Sequence, residues 1–179
     1  YSSPYRNDDA SSANIPLGFN FCFYGTTYTS CYINNNGNIT FVNDLMSFSA
    51  GGFPAGNPSS LDTIMIAPFW GDVDTRNTLS GLVYFKQTPT ALIVKWDNVG
   101  YYGNMADKRN DFQLIITNGS NPILPNGNNV AFCYGDMQWT TGGASGGVGG
   151  FGGTPATAGV NKVVNTTSIP IARFAQSGT

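Results

Sequence analysis

Between Gly18 and Tyr24 apolar and polar side chains alternate strictly, placing Phe19, Phe21 and Phe23 on one side of an extended segment. That period of two predicts a half-buried strand. Farther on, Asn36-Gly37 separates the runs Cys31–Asn34 and Ile39–Val42, and Asn-Gly between apolar runs predicts a hairpin. The first third therefore reads as a three-strand meander. A Gly, Pro and Ser loop from Ser49 to Ser60 leads into the apolar run Ile64–Trp70. Pro68 inside that run lacks an amide donor and predicts a strand end, an edge or a bulge. Gly81–Gln87 and Ala91–Asp97 flank Thr88-Pro89-Thr90 as a further hairpin, with Trp96 on its second arm. Phe112–Thr117 and Val130–Tyr134 follow, joined by a loop carrying Asn118-Gly119 and Asn126-Gly127. Helical periodicity is absent. At least eight short strands at this spacing predict an all-β, single-domain β-sandwich-like fold of antiparallel strands with long Gly/Asn-rich loops.

Composition sharpens this reading. All ten acidic residues are Asp, Glu and His are absent, and Gly, Asn, Ser and Thr abound, a set that favours turns over helices. Charged residues are 10% of the chain, against about 25% in an ordinary soluble domain, and the net charge is −2. Such a surface is wetted by neutral polar groups, by sugars or by contact with other protein. The eight Lys and Arg are scattered, which gives nucleic-acid binding little electrostatic support. No apolar run approaches the roughly 20 residues of a transmembrane helix, and no signal-like leader opens the chain, so a secreted form is expected to begin at Tyr1.

Two segments carry tryptophan beside acids: Ile66–Arg76 (IAPFWGDVDTR) and Tyr134–Gly142 (YGDMQWTTG). With Tyr32–Phe41 before them, and Gly146–Gly150 and Ala158–Asn161 after them, they occur in the order found in NIDO domains. From about Ile15 to Asn165 the chain resembles that family, an extracellular module known from matrix proteins and bacterial surface proteins. The resemblance implies a secreted or cell-surface structural or adhesive module and supplies no ligand. It also implies a division into an N-terminal extended segment (1–14), the β domain (15–165) and a C-terminal extended segment (166–179). Cys133 departs from the family pattern, in which an uncharged polar residue is expected. The segment Gly142–Gly153, with eight glycines in twelve positions, is read by the same resemblance as a site of close backbone packing.

Cys22 and Cys31 flank a tight hairpin and form a disulfide if the hairpin makes them face each other, a matter of geometry. Cys133 is then left over and reads as a small buried hydrophobe. Asp72 and Asp74 lie two apart, so in an extended segment they project from one face, and Asp136 joins them if the two tryptophan segments are neighbours. Three carboxylates would make a hard oxygen site suited to Ca²⁺. In the competing reading these Asp side chains accept turn hydrogen bonds and pair with Arg76. Ser and Cys triads lack a histidine base and nothing marks a glycosidase pair, so no enzyme is expected.

Sugar recognition is the alternative function, that of a carbohydrate-binding adhesin, with Tyr101, Tyr102 and Trp139 as candidate ligand-contact aromatics. Trp70 and Trp96 read as core. N-glycosylation acceptor patterns stand at Asn38, Asn118 and Asn165, the last two in loops. Finally, Ser168–Ala175 is a short apolar, extended segment in which Ile169, Ile171 and Phe174 recur. It serves either as the last strand of its own domain or as a strand added to the sheet edge of another copy, a head-to-tail contact that builds a homo-oligomer or filament.

Overall fold

A computed structural model describes residues 6–49, 51–53, 64–162 and 168–173, the last stretch as backbone only. The described residues form eleven strands and no α-helix. The strands are β1 (Ile15–Phe23), β2 (Thr26–Asn34), β3 (Asn38–Thr40), β4 (Met65–Trp70), β5 (Val73–Asp74), β6 (Leu82–Thr88), β7 (Ala91–Tyr101), β8 (Met105–Thr117), β9 (Val130–Met137), β10 (Thr157–Asn161) and β11 (Ser168–Arg173). They make two antiparallel sheets. One runs β1-β2-β3-β4-β10-β11, and the other β5-β7-β8-β9, with β6 also pairing β7. No described helix is long and apolar enough to cross a membrane.

The alternation in β1 buries Leu17, Phe19, Phe21 and Phe23 and leaves the residues between them exposed. Their inward face meets that of the second sheet, and a single core holds Ile33, Ile39, Ile66 and Phe69 from one layer with Leu92, Val94, Trp96, Phe112, Leu114 and Ile116 from the other. Trp96 stacks on Phe112 at 5.0 Å between centroids, and Phe69 meets Trp139 edge to face at the same distance. Both indoles are closed from solvent. Trp96 donates to the Asn35 carbonyl at 3.0 Å and Trp139 to the Val99 carbonyl at 3.1 Å, so neither ring leaves its N–H unpaired in the core.

Strand β4 is buried along its whole length, because its outer face is also covered: Met65, Ala67 and Trp70 pack with Leu45 and Phe53. That explains an unbroken apolar run where alternation would otherwise be expected. Pro68 sits at a bulge. Trp70 pairs Thr157 and Ala67 pairs Gly159, so three steps along β4 oppose two along β10.

The β1–β2 hairpin turns at Tyr24 and Gly25, both at positive φ (48° and 76°), the conformation of a two-residue type I′ turn. This register overturns the Cys22–Cys31 disulfide. Cys22 lies opposite Thr27 and Cys31 opposite Ile15, Cys22 is exposed and Cys31 buried, and both thiols are free. The turn is centred between residues 24 and 25, not midway between the cysteines. Cys133 is exposed rather than buried, since β9 lies at the edge of its sheet.

Strand β11 is paired with β10 of its own chain, from Thr157 opposite Arg173 to Asn161 opposite Ser168. Ile169 and Ile171 belong to that strand. Phe174, Asn165 and the first five residues lie outside the described residues.

Candidate functional site

The turn between β2 and β3 carries four asparagines around Gly37. Gly37 has φ of 80°, and a Cβ added there would lie 1.7 Å from the Phe69 carbonyl oxygen, so the position admits no side chain. The turn is thereby pressed onto the end of β4, and its amide side chains enter the protein. The Asn34 side chain donates to Asn38 Oδ1 at 2.7 Å and Thr40 Oγ1 at 3.1 Å. Asn35 donates to the Val73 carbonyl at 2.6 Å, while Asn36 Oδ1 accepts from the Val73 amide at 3.0 Å. Two side-chain amides thus hold the backbone of one β5 residue as a neighbouring strand would, and they join the two sheets.

Residues 6–12 complete this joint. Asn35 donates its amide to the Ala10 carbonyl at 2.9 Å, and Ser12 donates to Ile33 at 2.8 Å. Thr75 donates its amide to the Asn7 carbonyl at 2.9 Å. Arg6 Nη1 donates to the carbonyls of Thr75, Asn77 and Ser80 at 2.6–2.8 Å. The segment therefore crosses its own domain from β2 to the loop after β5.

It also delivers two carboxylates. Single carboxylate oxygens of Asp8, Asp9 and Asp72 all lie within 4.8 Å of one another. Asp9 Oδ1 accepts from Asn36 Nδ2 at 2.8 Å. Asp8 Oδ2 pairs with Arg76 at 2.9 Å, and its Oδ1 is buried without a hydrogen-bond partner. Asp72 is 1% exposed, and among the described residues neither of its carboxylate oxygens has a hydrogen-bond partner. Gly142 closes over it, where a Cβ would lie 2.6 Å from the Asp72 Cβ and Oδ2. The glycine-rich segment therefore packs closely here, as expected.

These environments separate the acids. Burial, then the negative charges of Asp8, Asp9 and Asp74, push Asp72 up to about 8 against the pull of Arg76. Burial and the charges of Asp74 and Asp9 push Asp8 up to about 6. Asp74 is held below the ordinary range: burial works against its ionisation, but hydrogen bonds from the Arg76 side chain and amide and from the Asn104 amide outweigh it. The Arg76 guanidinium grips both Asp74 oxygens, at 2.9 and 2.6 Å.

The carboxylate trio expected from sequence is thus corrected. Asp74 is consumed by Arg76, as the competing reading had it. Asp136 is exposed on β9 and accepts from Gln138 at 2.6 Å. Asp72 is gathered instead with Asp8 and Asp9. Their one signal in the sequence was two adjacent acids in a chain nearly devoid of charge.

The aromatic sugar platform is corrected as well. Trp139 and Tyr101 are 1% and 3% exposed, and the Tyr101 hydroxyl donates to Asp107 at 2.8 Å. Tyr102 is the exposed member of the three. Asn38 is buried and bonded to Asn34 and to the Asn36 carbonyl, so it offers no glycan acceptor, whereas Asn118 is exposed in its loop.

Comparison with known proteins adds an independent line. A family model described as NIDO related matches residues 2–177. Alpha-tectorin of Mus musculus is 32% identical over a 196-position alignment covering 93% of this chain and 9% of that protein. Dendrite extension defective protein 1 of Caenorhabditis elegans is 27% identical over 150 positions, 69% of this chain and 12% of that protein. Nidogen of Drosophila melanogaster is 26% identical over 152 positions, 69% of this chain and 10% of that protein. The chain spans about a tenth of the length of these curated relatives. No solved structure matches.

Proposed function

The chain belongs to the NIDO-related family, and on that footing we propose that it is an extracellular structural module whose copies assemble by exchanging strand β11. The observation that carries the exchange is the place of that strand. Among the described residues β11 is the outermost member of the six-stranded sheet and pairs with β10 alone. A connection of six residues, 162–167, separates the two strands. If β11 of one copy lies along β10 of the next, every main-chain hydrogen bond of the pair is remade between chains, and the cost of opening the closed form is offset within the assembly. The contact is head-to-tail, so it propagates into a filament unless the rotation closes a ring. A chain with only 10% charged residues opposes such close packing weakly.

Structural work also suits the interior. The buried Asn34–Asn38 turn, the Arg76–Asp74 pair and the indole N–H groups of Trp96 and Trp139 all find partners within the protein, and the asparagine turn joins the two sheets. Negative-stain electron microscopy of the purified chain over a range of concentrations, beside a truncation ending at Asn165, tests the proposal. Regular filaments from the full chain, with a folded and dispersed truncated form, are the expected result. Dispersed monomers of the full chain at every concentration contradict it, as does a truncated form that still builds filaments.

A further inference from the structure

We propose that Asp8, Asp9 and Asp72 bind a divalent cation, Ca²⁺, which fastens the N-terminal segment to the joint between the two sheets. Two observations point to it separately. The first is convergence: the three carboxylates come from two distant parts of the chain and bring oxygens within 4.8 Å of one another, a spacing in which a hard cation can bridge oxygen ligands. The second is the state of Asp72. It is 1% exposed, both its oxygens lack any donor among the described residues, and one of them lies in the cluster. A buried carboxylate in a native protein normally finds a donor or a counter-charge. Asp8 Oδ1 lacks a partner in the same way.

Local charge favours the same ligand. The negative charges of Asp8, Asp9 and Asp74 bear on Asp72, and those of Asp74 and Asp9 on Asp8, against the pull of the Arg76 guanidinium. Arg76 is already committed to both oxygens of Asp74 and to Asp8 Oδ2, so Asp72 is left uncompensated. A divalent ion neutralises the excess without demanding directional donors. Ca²⁺ fits better than Mg²⁺, because loosely arranged monodentate carboxylates suit its larger and more flexible coordination, whereas Mg²⁺ requires a near-octahedral shell and gives up water reluctantly. The competing state of the same atoms is protonation of Asp72 and Asp8, whose raised affinities for protons reflect the same burial and repulsion. Ca²⁺ and protons therefore compete for this cluster.

This inference is independent of strand exchange, because the cluster and β11 lie in separate parts of the chain. Calorimetric titration of chelator-treated protein with CaCl₂ at pH 7.5, and again at pH 5, tests it. One saturable site is expected, with a Kd on the order of 10⁻⁴ to 10⁻³ M as in other extracellular modules, weaker at pH 5 and weaker for MgCl₂. Asp9→Asn, which alters a partly exposed ligand and so spares the fold, is expected to weaken binding by at least about tenfold. Asp136→Asn leaves it unchanged. No saturable heat from the parent chain overturns the proposal, and so does Ca²⁺ binding that Asp9→Asn leaves intact or that Asp136→Asn removes.

Discussion

Asp72 shows most sharply how one residue can set the behaviour of the molecule. Its carboxyl is shut in behind Gly142, and the charged groups that face it are Asp8, Asp9, Asp74 and Arg76. Its proton affinity in the folded state, raised to about 8, compares with roughly 3.9 for an unfolded Asp. Between those two values the native chain binds more protons than the unfolded chain, so stability falls as pH rises through that window and levels off above it. Asp8, raised to about 6, adds to the loss in the lower half of the window. Asp74 acts in the opposite sense, since its depressed value withdraws stability as pH falls through and below the acid range. Denaturant midpoints of chelator-treated protein are therefore expected to be higher at pH 5 than at pH 8, and Asp72→Asn should flatten that difference. Saturating CaCl₂ should flatten it too, by stabilising the ionised form. A midpoint that rises from pH 5 to pH 8 in the chelated protein would show that the cluster does not hold its protons.

At the scale of elements, the strands were readable wherever one physical rule acted alone. Alternating phenylalanines fixed the inward face of β1, Asn36-Gly37 marked the β2–β3 hairpin, and Pro68, which cannot donate to a ladder, marked a strand end, an edge or a bulge, of which the bulge is found. The rules failed where two elements had to be registered against each other. Cys22 and Cys31 flank the stretch in which the hairpin turns, but Tyr24 and Gly25 at positive φ set the turn close behind Cys22, so that Cys22 opposes Thr27 and Cys31 opposes Ile15. Strands β8 and β9 run longer than their apolar cores, because Met105–Asp111, mostly polar, and Gly135–Met137 continue the strands beyond them. The tightest requirement of any element lies at Gly37. Replacing it with Ala forces a residue with a Cβ into φ near 80° and into the Phe69 carbonyl, so a loss of at least about 3 kcal/mol is expected from strain and displacement together. Urea unfolding measures this directly, and a Gly37→Ala chain of unchanged midpoint would mean that the turn does not bear on β4 as described.

Across the whole molecule, the family and the two-layer architecture were legible from short segments, because each signature segment lies in or beside a strand and bears a residue the core requires: Phe69 and Trp70 in β4, and Trp139 just past β9. The site was legible only in half. Asp72 stood out beside Trp70, but its partners come from Asp8 and Asp9, more than sixty positions earlier, and no local pattern announces a contact made by tertiary packing. Two of the aromatics expected to meet sugar, Tyr101 and Trp139, were drawn inward for a related reason, since their large rings fill the space between the layers. What remains outward is a sparsely charged surface and a terminal edge strand. Cross-linking across that strand pair decides whether β11 is exchanged between copies. In a background with Cys22→Ser and Cys133→Ser, equal amounts of Ala158→Cys and Ala172→Cys chains are unfolded, mixed, refolded and oxidised, because these positions face each other across β10 and β11. Exchange predicts disulfide-linked pairs containing one chain of each kind. If such pairs do not form, while a single chain carrying both substitutions closes its own disulfide, then β11 stays at home and the assembly mechanism is wrong.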